Sequence, residues 1–254
     1  MKIAVITGAS SGMGREFVRQ LAASEAFDEM WLIARRRDRL EELQKEISTP
    51  LRPLAMDLTN PESLSAYRTL LEEHRPEIAV LVNASGFGKF QYFSNLSLDD
   101  EMNMVDLNVK ALMGITYLSE PYMKKGSRVY QMGSLSSFQP VPAIAVYGAS
   151  KAFVLSFSRA LNVEWRPKGI RVMAVCPYWV RTEFFDRAKK DDTVSYYSHY
   201  YEAADVVRRA LKDMKKGRDV SILGFRARAQ VRMVKLLPHR LVMKIWCRQQ
   251  KLDV

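Results

Sequence analysis

The stretch "KIAVITGASSGMGREFVRQLAAS", Lys2 to Ser24, decides the fold. It opens on a short aliphatic run, passes through Gly8, Gly12 and Gly14, and closes on apolar residues at helical spacing. A buried strand that turns through glycines into a helix is the first half of a βαβ unit. Glycines at such a turn let the backbone approach a pyrophosphate, and the helix N-terminus offers it free N–H groups and a partial positive charge. A tight connection without a ligand would use the same residues, so the turn alone leaves both readings open.

The alternation continues outward. "MWLIA" from Met30, "LRPLAM" from Leu51, "IAVLVN" from Ile78, "RVYQM" from Arg128 and "IRVMAVC" from Ile170 read as strands, with "DVSIL" from Asp219 a weaker seventh. Between them lie helical patterns such as "RRDRLEELQKEI" and "NPESLSAYRTLLEEH", the second with Asn60 as cap and Pro61 in the first turn. Strand and helix in this order predict an α/β fold: one doubly wound parallel sheet with helices on both faces, as a single domain over residues 1–254. Ligands of such sheets bind at the carboxyl ends of the strands.

With 254 residues, 48% hydrophobic and 26% charged, the chain can bury one large core. The opening strand leaves no room for a signal peptide, and no apolar run approaches the roughly 18 residues of a membrane span. A cytoplasmic protein is expected. Cys176 and Cys247 lie far apart and His74, His199 and His239 lack ligand spacing, so neither a disulfide framework nor a metal site is expected. The net charge of +11 is uneven: Phe225 to Val254 holds eight Lys or Arg and one acid, a net of +7, against +4 for everything before. In this basic tail Arg228, Arg232, Lys235 and His239, then Arg240, Lys244, Arg248 and Lys251, recur at helical spacing. Val231, Val234, Leu237, Leu241, Ile245 and Trp246 fall on other faces, and Pro238 splits the stretch in two. Two readings stay open. The tail lies on the inner face of an anionic membrane, or its apolar face packs on the sheet or over the active site. Aromatic residues are not interleaved as on a stacking platform, so nucleic acid is not expected.

"VYGASKAFVLSF", Val146 to Phe157, places Tyr147 four residues before Lys151, on one helix face. A phenol with a pKa of about 10 exchanges protons poorly near neutral pH. At ~4 Å and an effective dielectric of ~20, an ammonium favours the phenolate by ~4 kcal/mol, about three pKa units. The spacing therefore predicts a tyrosine whose proton is loosened by its neighbour.

Thr7-Gly8-x-x-x-Gly12-x-Gly14, "NASG" at Asn83 to Gly86, Asn108, Ser134, Tyr147-x-x-x-Lys151, and Pro177 followed by Thr182 stand in the order and spacing of the short-chain dehydrogenase/reductase family. The chain resembles that family from Lys2 to about Thr182. The resemblance implies a Rossmann-like fold of about seven strands and an oxidoreductase interconverting a carbonyl and a secondary alcohol. It further implies that Tyr147 is the proton donor, Ser134 hydrogen-bonds the substrate oxygen, Lys151 tunes Tyr147 and holds the nicotinamide ribose, and Asn108 supports a proton-relaying water. Cofactor contacts are implied at Gly8, Ser10, Ser11, Gly12, Met13, Gly14, Asp57, Leu58, Asn83, Ala84, Ser85, Tyr147, Lys151, Pro177, Val180 and Thr182, and a homodimer or homotetramer on the helices containing Asn108 and Tyr147. Two positions depart from the pattern: Tyr178, where glycine is usual, and Ala84, where a second asparagine is common.

Where an NAD enzyme places an acid after the second strand, this chain has Ala34 followed by Arg35, Arg36 and Arg37. Arginine grips a 2′-phosphate through charge-assisted bonds, so NADP(H) is expected, with Arg35 the main contact. Arg36 and Arg37 read equally as the solvated start of a helix, and Asp57 as a turn residue. Phe138, Val141, Tyr178, Trp179, Phe184, Phe185 and Tyr196, Tyr197, Tyr200 and Tyr201 suggest a bulky apolar carbonyl or alcohol substrate, lipid-, steroid- or acyl-like. The alternatives are a 3-oxoacyl thioester reductase and a non-catalytic NADP(H)-binding or membrane-surface protein.

Overall fold

Alternate side chains of the first strand enter different cores, Ala4 and Ile6 on one side and Ile3 and Val5 on the other, so the sheet is covered on both faces. The computed structural model describes residues 1–188, 191, 193–195 and 199–252. The chain runs β1 (Lys2–Thr7), α1 (Gly12–Ser24), β2 (Glu29–Ala34), α2 (Arg37–Glu42), β3 (Leu51–Ala55), α3 (Pro61–His74), β4 (Glu77–Asn83), α4 (Leu98–Val105), α5 (Leu112–Ser119) and β5 (Arg128–Met132). It continues with α6 (Ala145–Glu164), β6 (Arg171–Val175), β7 (Val180–Arg181), α7 (Phe184–Ala188), β8 (Tyr201–Glu202), α8 (Ala203–Lys215), β9 (Val220–Ser221), α9 (Phe225–Leu236) and α10 (His239–Gln250).

The main sheet has the order β3-β2-β1-β4-β5-β6-β9, and every pairing is parallel. This is the expected doubly wound, Rossmann-like sheet of seven strands. Its order reverses between β1 and β4, which opens a crevice at their carboxyl ends. Three local differences have physical reasons. The "DVSIL" strand shrinks to Val220 and Ser221, because the chain leaves the sheet edge at Gly224 (φ +88) to start α9. The continuous helix read through "EMNMVDLNVKALMGITYL" is interrupted by a π-helical turn, Asp106–Ala111, that carries Asn108. The loop after β6 forms a second, two-stranded parallel sheet, β7 with β8. Asn60 caps α3 through the Glu62 N–H with Pro61 at its first position, as its sequence suggests.

The basic tail is not a free arm. Ala227, Val231 and Val234 of α9 and Val242, Cys247 and Gln250 of α10 are buried. The Trp246 indole donates to the Pro142 carbonyl (3.0 Å), Gln250 Oε1 accepts from the Ser195 N–H (3.2 Å), and the Lys235 ammonium lies 5.4 Å from the Phe138 ring centre. The apolar face of the tail thus packs beside the loops at the sheet's carboxyl edge. Leu241 and Ile245, expected on that face, instead point outward.

Candidate active site

The glycine turn is held open by backbone proximity. Gly8 has φ +68, and a Cβ there would lie 2.7 Å from the Ala84 carbonyl carbon, so no other residue lets the ends of β1 and β4 come this close. The Ser85 N–H donates to Thr7 Oγ1 (3.1 Å) across the same junction. α1 then starts with Ser11 at its N-cap making no side-chain cap and with no acid in its first turn. Gly8, Ser10, Ser11, Gly12, Met13 and Gly14 line a cleft of about 800 Å³ that continues along Arg35, Arg36, Arg39, Asp57, Leu58, Ala84 and Ser85 to Thr182. Uncapped N–H groups facing an elongated, arginine-rimmed cleft are a donor set suited to a dinucleotide's phosphates. Those residues would hold it.

The arginines are arranged differently from the expectation. Arg35 stands at the rim with 56% of its side chain exposed and Asp57 3.8 Å away. Arg37 is on the solvated face of α2, paired with Glu41. Arg36 turns back to Ser10 Oγ (3.2 Å) and to Glu183 (2.8 Å), and Arg39 bonds the other oxygen of Glu183. A carboxylate from the loop after β7 therefore joins two cations across the cleft. Arg39 and Glu183 were not anticipated, because folding brings them together across 144 residues. Asp57 combines both of its readings: it lines the cleft, and it closes a turn by accepting from Thr59 N–H (3.0 Å) and Thr59 Oγ1 (2.7 Å).

Beside this cleft is an apolar cavity of about 130 Å³. Met13, Ala84, Gly86, Thr182 and Phe184 line both spaces, so the two meet there. Ser134, Tyr147 and Lys151 face the cavity at this junction, with Pro177, Tyr178, Trp179 and Val180 beyond. Ser134 is locked at the start of a short 3-10 turn: its Oγ accepts the Ser136 N–H (3.2 Å), and its own N–H donates to Ser137 Oγ (3.1 Å). Its side chain shares the cavity wall with Tyr147 and favours the ionised form of that phenol. Gln139, Gln230 and Trp246 complete the wall, the last two from the tail. Nothing in local spacing signals them; they reach the site only through tertiary packing.

The proton-loosening expected between Tyr147 and Lys151 does not appear. Burial, with Phe90 5.9 Å and Phe184 5.6 Å from its ring centre, pushes the Tyr147 phenol up to about 12, and the nearby Ser134 side chain offsets only part of this. Burial likewise brings Lys151 down to about 8. The Lys151 ammonium donates to the Met132 carbonyl (2.8 Å) and lies 5.7 Å from the tyrosine ring centre. The correction has one cause: burial, to which Phe90 and Phe184 contribute at the tyrosine, raises the phenol more than its neighbours lower it. Cys176, packed behind Ser134, is pushed up to about 12 by the same burial.

Two further residues have other duties than expected. Asn83 turns away from the cleft, and its amide donates to Thr116 Oγ1 (3.0 Å) and Gln131 Oε1 (2.9 Å), tying β4 to β5 and α5. Asn108 is fully buried on the π-helical turn. It accepts the Phe87 N–H (3.1 Å) and donates to the Phe87 carbonyl (2.9 Å) and Ser150 Oγ (3.1 Å). Ser150 in turn bonds the Tyr147 carbonyl (2.7 Å), so Asn108 clamps the loop after β4 to the helix of the tyrosine. It meets Lys151 at Gly86, where a Cβ would lie 2.9 Å from Asn108 Oδ1 and 3.3 Å from Lys151 Nζ. Trp179, Phe184 and Phe185 join Phe90 in one aromatic cluster over the cavity, and Tyr200 packs on Phe185. Tyr196 and Tyr197 lie outside the described residues.

Comparison with known proteins agrees with this fold. The family model described as short chain dehydrogenase matches residues 2–193. Sulfoacetaldehyde reductase 2 of Chromohalobacter salexigens is 34% identical over 188 residues, covering 72% of this chain and 74% of that one. A short-chain dehydrogenase of Sphingobium yanoikuyae in complex with NADPH superposes with a TM-score of 0.81, at 29% identity and 95% of both chains. A bulky-bulky ketone specific alcohol dehydrogenase of Comamonas testosteroni superposes with a TM-score of 0.74, at 25% identity, over 93% of this chain and 92% of that one.

Proposed function

The chain belongs to the short-chain dehydrogenase/reductase family of nicotinamide-dependent oxidoreductases, and from that premise we propose that it uses NADP(H) to reduce an apolar ketone to its secondary alcohol. One observation carries the reading: Tyr147 and Ser134 line an apolar cavity together where it opens into a phosphate-ready cleft. When bound, the dinucleotide supplies the hydride. Tyr147 gives its proton to the carbonyl oxygen, and the Ser134 hydroxyl donates to the same oxygen as negative charge develops on it. A phenol held near 12 keeps its proton at neutral pH, which is the form that reduction needs. Lys151, on the turn below, and Asn108, through Phe87 and Ser150, position Tyr147 and the loop after β4.

The preference for NADP(H) rests on Arg35 and Arg36 after β2, on Arg39 of α2, and on the lack of an acid at that strand end. A 2′-phosphate would take Arg36 and Arg39 from Glu183. The substrate class rests on the Trp179, Phe184, Phe185 and Trp246 lining. At about 130 Å³ the cavity takes the reacting end of a substrate; a bulkier remainder requires Phe184 and Phe185 to draw back, since drug-sized pockets begin near 300 Å³. Exposed Met113 and Tyr117 on α5 and Val163 on α6 suit a homodimer or tetramer built on these helices. The test is NADPH consumption with ketones of increasing apolar size, and no turnover across such a panel would defeat the proposal.

A further inference from the structure

The tail walls the substrate cavity with one side and leaves another face bare. On α9, Phe225 (75% exposed), Met233 and Leu236 (85% exposed) recur at steps of eight and three residues and so share a face, and Leu241 and Ile245, four apart, protrude from α10. Among them stand Arg226, Arg232, Arg240, Lys244 and Arg248, all exposed. Residues 225–252 hold eight Lys or Arg and no acid. Among the described residues, none of these cations has a carboxylate partner, whereas basic side chains elsewhere are commonly paired.

We propose that this face of α9 and α10 docks on an anionic lipid surface. Protruding aliphatic and aromatic side chains set among unpaired cations match the two layers of such a surface, acyl chains below and phosphates above. A second copy of this chain is a poor occupant, because a two-fold contact would set cation against cation with no acid to separate them. Nucleic acid would use the cations but leave Phe225, Met233, Leu236 and Ile245 in water. Contact is with the surface alone: among the described residues no helix is long and apolar enough to cross a membrane. Because Gln230 and Trp246 of the same helices line the cavity, docking brings its mouth close to a reservoir of apolar molecules. The inference stands apart from turnover, since docking is measured without substrate.

Removing the tail would also remove part of the cavity wall, so the test uses the full chain with exposed substitutions. The protein is sedimented with phosphatidylcholine vesicles, with and without phosphatidylglycerol. Wild type is expected on the anionic vesicles only, and less so as salt is raised. Arg232→Gln and Lys244→Gln should each weaken binding about fivefold, and Phe225→Ser with Leu236→Ser by tenfold or more. Unchanged thermal melts and NADPH binding show that each variant is folded. Equal binding by all variants, or no binding by wild type, overturns the proposal. So does RNA binding that ignores Leu236→Ser, or a dimer that this substitution dissolves while vesicles stay bare.

Discussion

Lys151 carries its amine into a site only 5% exposed, where burial has brought it from its ordinary value to about 8. A lysine with a lowered folded pKa binds fewer protons folded than unfolded between about pH 8 and 10.5, so its cost is full below pH 8 and fades as pH rises through that window. Lys151→Met should therefore stabilise the protein at pH 7 by about 2 kcal/mol, the cost of the buried charge less its hydrogen bond to Met132. Most of that advantage should disappear by about pH 9.5. Denaturant unfolding at both pH values checks it, and a gain independent of pH would show that the Lys151 pKa is not lowered in the folded chain. The arginines make a second residue-scale case. Arg35→Ala and Arg39→Ala should each weaken NADPH by about tenfold, with little effect on NADH, because a charge-assisted contact to a phosphate is lost. Calorimetric titration that finds equal losses for both dinucleotides would remove these side chains from the 2′-phosphate site.

At the scale of elements, α1, α6 and the strand ends were legible because their signals are local. A glycine turn after an aliphatic run, and a tyrosine and lysine four apart, depend on neighbours in the chain. What failed was whatever depends on the layers packed around an element. Helix spacing places Tyr147 near Lys151, but it says nothing of Phe90 and Phe184, whose packing reverses the expected direction of the tyrosine's pKa. "NASG" places Asn83 at the end of a strand, but only the neighbouring β5 and α5 show that its amide faces inward. Asn83→Leu should then cost about 2–3 kcal/mol, by leaving the buried Gln131 Oε1 without its donor and Thr116 Oγ1 with one bond fewer, while NADPH affinity of the folded protein is unchanged. A selective loss of NADPH binding with normal stability would return Asn83 to the cofactor site.

For the molecule as a whole, the reversal of strand order between β1 and β4 explains why one edge gathers every candidate group. Gly8 follows β1, Gly86 follows β4, Ser134 follows β5 and Pro177 follows β6, so four distant sequence signals converge on one crevice. That convergence could be read from strand order alone. The tail's place could not, because its composition fits packing and membrane contact equally, and the structure shows one face doing the first while the other remains bare. If α5 and α6 form the subunit contact, Tyr117→Glu should convert the protein to monomers in sedimentation equilibrium, and an unaltered mass would move the contact elsewhere. The account depends above all on Tyr147 as the proton donor. Single-turnover reduction of an apolar ketone by NADPH should slow by about 10² to 10⁴ in Tyr147→Phe while NADPH binds as before; equal rates in mutant and wild type would contradict it.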